Sequence, residues 1–174
     1  GAGAMLRLAG ALLLTAGGAA LGMAACAHLG ERVACLWAVV GALELMEREL
    51  TFSLTPMPEL LTGLARRGAP PVRPFFAQCA RELDELKGRT LCQIWQEAAA
   101  AHLGALSGED LAILLPLGAV LGRYGGEDQR LAVAQTADEL RRQLDCAVVE
   151  QQRQRRVYGT LGVSAGAFLV IILL

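Results

Sequence analysis

Two long, uncharged apolar runs lie near the two ends of the chain, with a mixed sequence between them. The first, Leu8 to Ala27, has 20 residues, and the second, Val157 to Leu174, has 18. An α-helix rises about 1.5 Å per residue, so the first run can cross a hydrocarbon core of about 30 Å and the second is just long enough. We therefore predict transmembrane helices over residues 5–28 and 157–174.

Between these runs, apolar residues recur every three or four positions, which predicts amphipathic helices. The first stripe, over residues 31–50, continues the N-terminal run and consists of Leu36, Val40, Leu43 and Leu50 with Met46 beside them. Further helices are predicted over 58–67, 74–86, 91–103 and 109–122. A last helix starts at Glu127 or Asp128 and runs unbroken into the second apolar run. No stretch has a sustained two-residue period. We predict an all-α fold without a sheet: a small, membrane-anchored helical bundle over 29–156, flanked by the two transmembrane helices.

Capping residues mark several of the predicted boundaries. Thr55 is predicted as an N-cap, with Pro56 at the first helical position, where a missing N–H costs nothing. Ser107, with Asp110 three residues later, resembles a capping box. Pro116 lies inside an apolar run and is expected to kink or split that helix.

The stretch "LGAVLGRYGG", residues 117–126, is rich in glycine and raises the question of a phosphate-binding loop. A phosphate loop has five residues from its first glycine to its second and then lysine with serine or threonine. Gly118 and Gly122 are only four apart, and no lysine follows. Close contact between helices explains them better, and Gly125 and Gly126 are expected to supply a positive φ for the next turn.

Three arginines, Arg153, Arg155 and Arg156, directly precede the second apolar run. Cytoplasmic flanks of membrane helices are enriched in Lys and Arg, so these residues predict a cytoplasmic central domain with both termini outside. A cleaved signal sequence, or a lipoprotein lipidated at Cys26, remains an alternative for the N-terminal run. In the second run, Gly162 and Gly166 form a small-xxx-small face that favours close helix contact.

Composition excludes several classes of function. The net charge is −1, so no global signal favours nucleic-acid binding. The 54% hydrophobic and 5% aromatic residues favour helix over sheet. The five cysteines form no C-x-x-C pair and are interpreted as apolar residues in a reducing compartment. Residues 1–4 are expected to be a tag remnant or an upstream start.

No constellation of residues predicts catalysis or a bound cofactor. Neither His28 nor His102 has a His or Cys three or four residues away, so no metal site is predicted. No serine lies in a G-x-S-x-G setting. Some acidic residues could supply paired carboxylates, but a solvated helix face is the expected role of Glu44, Glu47, Glu49, Glu82, Asp84 and Glu85. We predict a protein that is not an enzyme.

Several short motifs, in their order along the chain, resemble the stage III sporulation protein AB family of endospore-forming bacteria. An E-x-E-[IL]-x-[YF]-x-x-T-P-[LM] pattern is met by Glu47, Glu49, Leu50, Phe52, Thr55, Pro56 and Met57. The later matches are Trp95, then Leu117, Gly118, Leu121 and Gly122, then Gln129, and finally the segment Arg156 to Gly162. One departure is Gly125, which stands where the family usually has an aspartate.

This resemblance implies a non-enzymatic scaffold in the envelope-spanning complex of the mother cell. It places the chain in the membrane around the forespore, with a central domain similar to the cytoplasmic domains of the type II secretion platform protein. It also implies a secretion-type ATPase and other membrane subunits as partners, with the motif residues Glu47, Glu49, Thr55, Pro56, Trp95, Gly118, Gly122 and Gln129 serving structure or partner contact. A homo-oligomer is a further expectation. The alternatives are a channel-forming transport subunit and the exported lipoprotein.

Overall fold

A computed structural model of the chain describes residues 2–52, 55–85, 88–123 and 125–173, with the backbone alone at 169, 170, 172 and 173. These residues form helices joined by short turns and no strand, which confirms the all-helical prediction for them. The helices are α1 (Ala2–Phe52), α2 (Met57–Arg67), α3 (Arg73–Asp84), α4 (Leu91–His102), α5 (Gly108–Leu114), α6 (Leu117–Arg123) and α7 (Glu127–Leu173), with a 3₁₀ turn over Pro70–Val72.

The chain divides into two compact units. The first comprises Gly1–Gly30 and Ala147–Leu174, and the second comprises Glu31–Cys146. In the first unit, the start of α1 and the end of α7 lie antiparallel, since Gly22 adjoins Tyr158 and Gly30 adjoins Gln151. Most side chains of this unit are exposed, so the pair has no core of its own.

In the second unit, the helices enclose an apolar core. The predicted seam of α1 is buried at Leu36, Val40, Leu43 and Met46, while Leu50 is only half-buried. The largest side chains of the core come from several helices: Trp95, Phe75, Phe76, Leu61, Leu64, Ile94, Leu103, Leu114 and Leu117. Helix α2 packs on α3, α3 on α4, and α4 on α6. This serial packing brings the start of α2 and the whole of α6 to the same end of α4.

Two helix-boundary predictions are confirmed and one is wrong. Ser107 Oγ accepts a hydrogen bond from the Asp110 N–H at 3.2 Å, and Asp110 Oδ2 accepts one from the Ser107 N–H at 2.9 Å, which completes the capping box. Pro116 lies between α5 and α6 and so splits the predicted helix. Thr55 is not the cap of α2: Pro56 occupies that position, because its carbonyl accepts the first helical bond from the Leu60 N–H at 3.0 Å.

The glycine predictions also need correction. Gly126 has a φ of 63°, and Gly125 does not share the left-handed conformation predicted for it. One left-handed residue is enough here, since α7 starts immediately at Glu127. The predicted contact face at Gly162 and Gly166 is not used within the described chain, because a methyl group at either would meet open space.

Among the described residues, α1 is the helix that is long and apolar enough to cross a membrane. Its apolar N-terminal stretch is almost entirely exposed, unlike the core helix of a soluble protein. The backbone of α7 continues without a break through the second predicted span as far as Leu173. Leu174, the last residue of that span, lies outside the described residues.

Candidate functional site

Gly118 brings α6 onto the ring of Trp95. A Cβ atom built at Gly118 would lie 2.7 Å from both Cβ and Cγ of Trp95, closer than any real side chain would allow. The Trp95 ring is fully buried, and its Nε1–H donates to the Leu114 carbonyl at 3.1 Å. Only glycine permits this approach, which confirms the close-contact interpretation of Gly118.

Two phenylalanine rings pack against the ring of Trp95. The Phe75 and Phe76 rings lie edge-on to it, with centroids 4.7 and 6.1 Å away. Such edge-to-face pairs contribute about 0.5–1.5 kcal/mol beyond the burial of their area. Trp95 is therefore part of an aromatic cluster in the second unit's core and has no exposed surface to offer a partner.

Gly122, one turn after Gly118, forms part of a surface groove. A Cβ atom at Gly122 would lie 3.3 Å from Cβ of Leu91, so α6 also approaches the first residue of α4 closely. The groove opens beside this contact and has a volume of about 560 Å³. We call it the α2–α6 groove and define it by Met57, Pro58, Arg89, Leu91, Gly122 and Arg123, all of which line it.

The α2–α6 groove joins two of the sequence motifs. Met57 and Pro58 follow Pro56 directly at the start of α2, and Gly118 and Gly122 line the opposite wall. These stretches are some 60 residues apart in the chain, and the serial packing of α2, α3, α4 and α6 brings them together. Thr55 and Pro56 themselves do not line it.

Of two arginines that line this groove, Arg89 is ion-paired within the described chain and Arg123 is not. Arg89 forms ion pairs with Glu82, at 2.8 Å, and with Glu97. Arg123 is exposed at the end of α6 and has no charged partner among the residues that the structure describes. Its charge is therefore available to a partner. The sequence held no local sign of this, because the groove exists only once α6 packs on α4.

Gln129 closes the end of α6 from the first turn of α7. Its side-chain Nε2 donates to the Leu121 carbonyl at 3.0 Å, a group that the end of a helix otherwise leaves unpaired. The hydrogen bond between Leu121 and Gln129 thus joins α6 to α7 across the Gly126 turn. Leu121 lines the α2–α6 groove, and Gln129 supports it from outside.

Three acidic residues of α1, Glu44, Glu47 and Glu49, remain partly exposed, as expected of a solvated helix face, but each is also ion-paired to another helix. All three are half-buried, and the pairs are Glu44 with Arg141, Glu47 with Arg130 and Glu49 with Arg67. The N–O distances of the last two are 3.2 and 2.8 Å. Glu47 and Glu49 therefore tie α1 to α7 and α2, and they lie outside the α2–α6 groove.

A bidentate ion pair joins α1 to α5. Arg32 Nε donates to Asp110 Oδ2 at 2.8 Å, and Arg32 Nη2 donates to Oδ1 at 2.9 Å. The Asp110 side chain is 0% exposed, and that of Arg32 is 20% exposed. Burial alone would raise the pKa of the Asp110 carboxyl, but the bonds from Arg32 and Ser107 outweigh it and hold the pKa below its ordinary value. The sequence indicated Asp110 only as a cap, since Arg32 lies 78 residues away.

The three arginines before the second apolar run lie on the exposed surface of α7 in the first unit. Arg153 lies 3.8 Å from Glu150, and neither Arg155 nor Arg156 has a charged partner among the described residues. Arg155, unlike the other two, lines a groove between α1 and α7. Their predicted role in setting the topology remains a prediction.

Candidate chemistry is sparse among the described residues. They contain no group of three His, Cys, Asp or Glu side chains placed to hold a metal. His102 Nε2 lies 2.8 Å from the Gln78 Oε1 atom, which gives it a structural partner. Burial raises the pKa of the Cys35 thiol to about 11 and that of Cys79 to about 12, so neither is a ready nucleophile.

Comparison with known proteins identifies one family. The family model described as "Stage III sporulation protein AB (spore_III_AB)" matches residues 7–174. A solved structure titled "Stage III sporulation protein AB (SpoIIIAB)" is similar to 71% of this chain and 98% of its own, with 21% identity and a TM-score of 0.63. The comparison with curated proteins found no match.

Proposed function

Since the chain belongs to the stage III sporulation protein AB family, we propose that it is a membrane-anchored scaffold of a sporulation complex. In this proposal the end segments of α1 and α7 hold the chain in the membrane around the forespore. The second unit then lies in the mother-cell cytoplasm, where it docks a secretion-type ATPase and further membrane subunits.

The anchoring part rests on exposure. Large apolar side chains of the first unit are exposed on both helices, including Leu14, Leu21, Leu161 and Phe168. Such a surface is costly in water but suits lipid, because each helix satisfies its own backbone hydrogen bonds. Cys26 lies within the unbroken helix α1, which favours a retained anchor over a lipoprotein cleaved at that residue.

The docking part is carried by one observation, the α2–α6 groove. It is a concave, largely apolar surface lined by Met57, Pro58 and Gly122. Its charged residues are Asp84, the ion-paired Arg89, and Arg123, whose cation has no charged partner among the described residues. Docking sites combine an apolar floor with a few polar groups that fix orientation. The groove therefore suits a partner element that presents an apolar side chain next to a carboxylate.

Topology is tested with reporters fused after Leu106 and after Leu174 in the full chain. We expect a cytoplasmic signal after Leu106 and an external one after Leu174, because Arg153, Arg155 and Arg156 favour the inner side. An external signal after Leu106 would exclude the scaffold and favour the lipoprotein.

Docking is tested by co-purification of the full chain in detergent with the ATPase of the same complex. Arg123→Glu should weaken the association about tenfold or more, because it reverses the free charge of the groove. Arg142→Glu is the matched control, since Arg142 is exposed on α7 and does not line the groove. Equal effects of the two substitutions would rule out the groove as the docking site.

A further inference from the structure

The antiparallel helices of the first unit touch where Gly22 meets Tyr158, and space remains one turn away from this contact. Gly22 is buried against the ring of Tyr158, and a methyl group at Gly22 would overlap that ring. In contrast, Gly18 and Gly162, one turn away on either helix, have no atom within 4 Å of the position of a Cβ. The helices are thus held together by Tyr158 and leave space next to it.

That space is an apolar groove of about 480 Å³. We call it the α1–α7 groove and define it by Gly18, Gly22, Met23, Arg155, Tyr158 and Gly162, which line it together with further small and apolar residues. The Thr15 hydroxyl in its wall donates to the Ala11 carbonyl at 2.8 Å. The lining therefore offers little polar chemistry beyond Arg155 and the Tyr158 hydroxyl.

Arg155 lies at one end of this groove. The lining of α7 extends from Arg155 to Ala165, ten residues on, which corresponds to about 15 Å of helix. That is half of a hydrocarbon core of about 30 Å, the depth of one leaflet. The Arg155 cation therefore lies about one leaflet's depth from the far end of the α1–α7 groove.

We propose that the α1–α7 groove binds one anionic phospholipid, with its phosphate at Arg155 and an acyl chain along Gly18 and Gly162. The proposal rests on the membrane anchoring proposed above. Basic pockets between membrane helices at the cytoplasmic side are suited to anionic headgroups. Arg155 supplies the positive charge for the phosphate, and Tyr158 suits the interface between headgroup and acyl chain. Because the glycines have no side chains, the α1–α7 groove keeps enough volume for the acyl chain.

A partner helix is the rival occupant, and charge argues against it. A transmembrane helix seated in the slot would have to place a carboxylate at the level of Arg155 or leave this arginine unpaired. A phosphate at the membrane surface meets the guanidinium without that requirement and can accept two parallel hydrogen bonds.

The experiment uses the full chain, reconstituted in bilayers of equal phosphatidylglycerol and phosphatidylcholine, and native mass spectrometry of the lipid it retains. We expect retention of one phosphatidylglycerol in preference to phosphatidylcholine. Arg155→Gln should reduce this preference about tenfold, the loss of one strong charge-assisted contact. Arg153→Gln removes the same charge outside the groove and should change the preference for phosphatidylglycerol little.

A second pair of variants tests the acyl slot. Gly18→Leu fills the groove and should reduce retention of both lipids, while Gly17→Leu adds the same side chain at a neighbouring open position that does not line it. Equal effects of the two arginine variants, or of the two leucine variants, would overturn the proposal. Disulfide cross-linking of two chains through Gly162→Cys would also overturn it, in favour of a second copy in the groove.

Alkaline extraction of the same membranes separates this inference from the anchoring. A chain that resists extraction but shows no lipid preference refutes the lipid site and leaves the scaffold intact. A chain that is extracted as a peripheral protein refutes both.

Discussion

Gly118 lies so close to Trp95 that a Cβ atom at Gly118 would come within 2.7 Å of the Trp95 Cβ. Gly118→Ala should therefore force α6 away from α4 and lower the free energy of unfolding by about 1–3 kcal/mol. Gly41→Ala is the control, because Gly41 lies in the middle of α1 with open space around it. There the added methyl group should stabilise the helix by up to about 1 kcal/mol. Thermal unfolding of the full chain in detergent measures the stability of both variants. A Gly118→Ala variant as stable as the unsubstituted chain would contradict the close contact with Trp95.

The Arg32–Asp110 pair gives a second prediction. Arg32→Met leaves the fully buried Asp110 carboxylate without its main partner, and we expect a loss of about 3 kcal/mol, the lower end for a buried pair because Arg32 is partly exposed. Arg67→Met breaks the more exposed pair with Glu49 and should cost no more than about 1 kcal/mol. Chemical denaturation measures the loss of stability in each variant. Similar losses in Arg32→Met and Arg67→Met would show that the buried pair contributes no more than the exposed one.

Acid should destabilise the chain through Asp110. Its pKa in the folded state is below the ordinary 3.8, so its contribution is fully present above that value. It is lost as the pH falls from 3.8 through the lower pKa of the folded state, because the unfolded chain then binds the proton more tightly. We expect the free energy of unfolding to fall as the pH is lowered through about 3.8 and below.

The acid effect has matched variants. Asp110→Asn should remove part of this pH dependence, while Glu127→Gln should preserve it, because Glu127 is exposed and its pair with Arg130 is screened by water. Unfolding curves at a series of pH values supply the comparison. An identical pH dependence in wild type and Asp110→Asn would assign the acid sensitivity elsewhere.

Cysteine reactivity should follow burial. Burial raises the pKa of Cys35 to about 11 and that of Cys79 to about 12, whereas Cys146 is exposed. At about pH 8 the thiolate fraction of a thiol with a pKa of 12 is on the order of 10⁻⁴. Iodoacetamide should therefore label Cys146 in the folded chain, and Cys35 and Cys79 only after unfolding, as read by mass spectrometry. Equally rapid labelling of Cys79 and Cys146 would show that this part of the core opens readily.

Local sequence signals predicted the helices well where the physics is local. The capping box of Ser107 and Asp110 lies within four residues, and Pro116 breaks the helix because of its own missing N–H. The prediction of Thr55 as a cap was wrong by one position, because Pro56 also suits the extended backbone before α2. The positive φ predicted for both Gly125 and Gly126 is present at Gly126 and not at Gly125.

The sequence alone determined the helical class, the two apolar end segments and the small residues at positions 118 and 122, because periodicity, length and side-chain size are local properties. Only the tertiary structure decided what those residues contact. It set Gly118 on Trp95, joined Arg32 to Asp110 across 78 residues, and paired Glu47 with Arg130 where a solvated face was expected. These contacts depend on which helices become neighbours, and the packing of the whole core selects that arrangement.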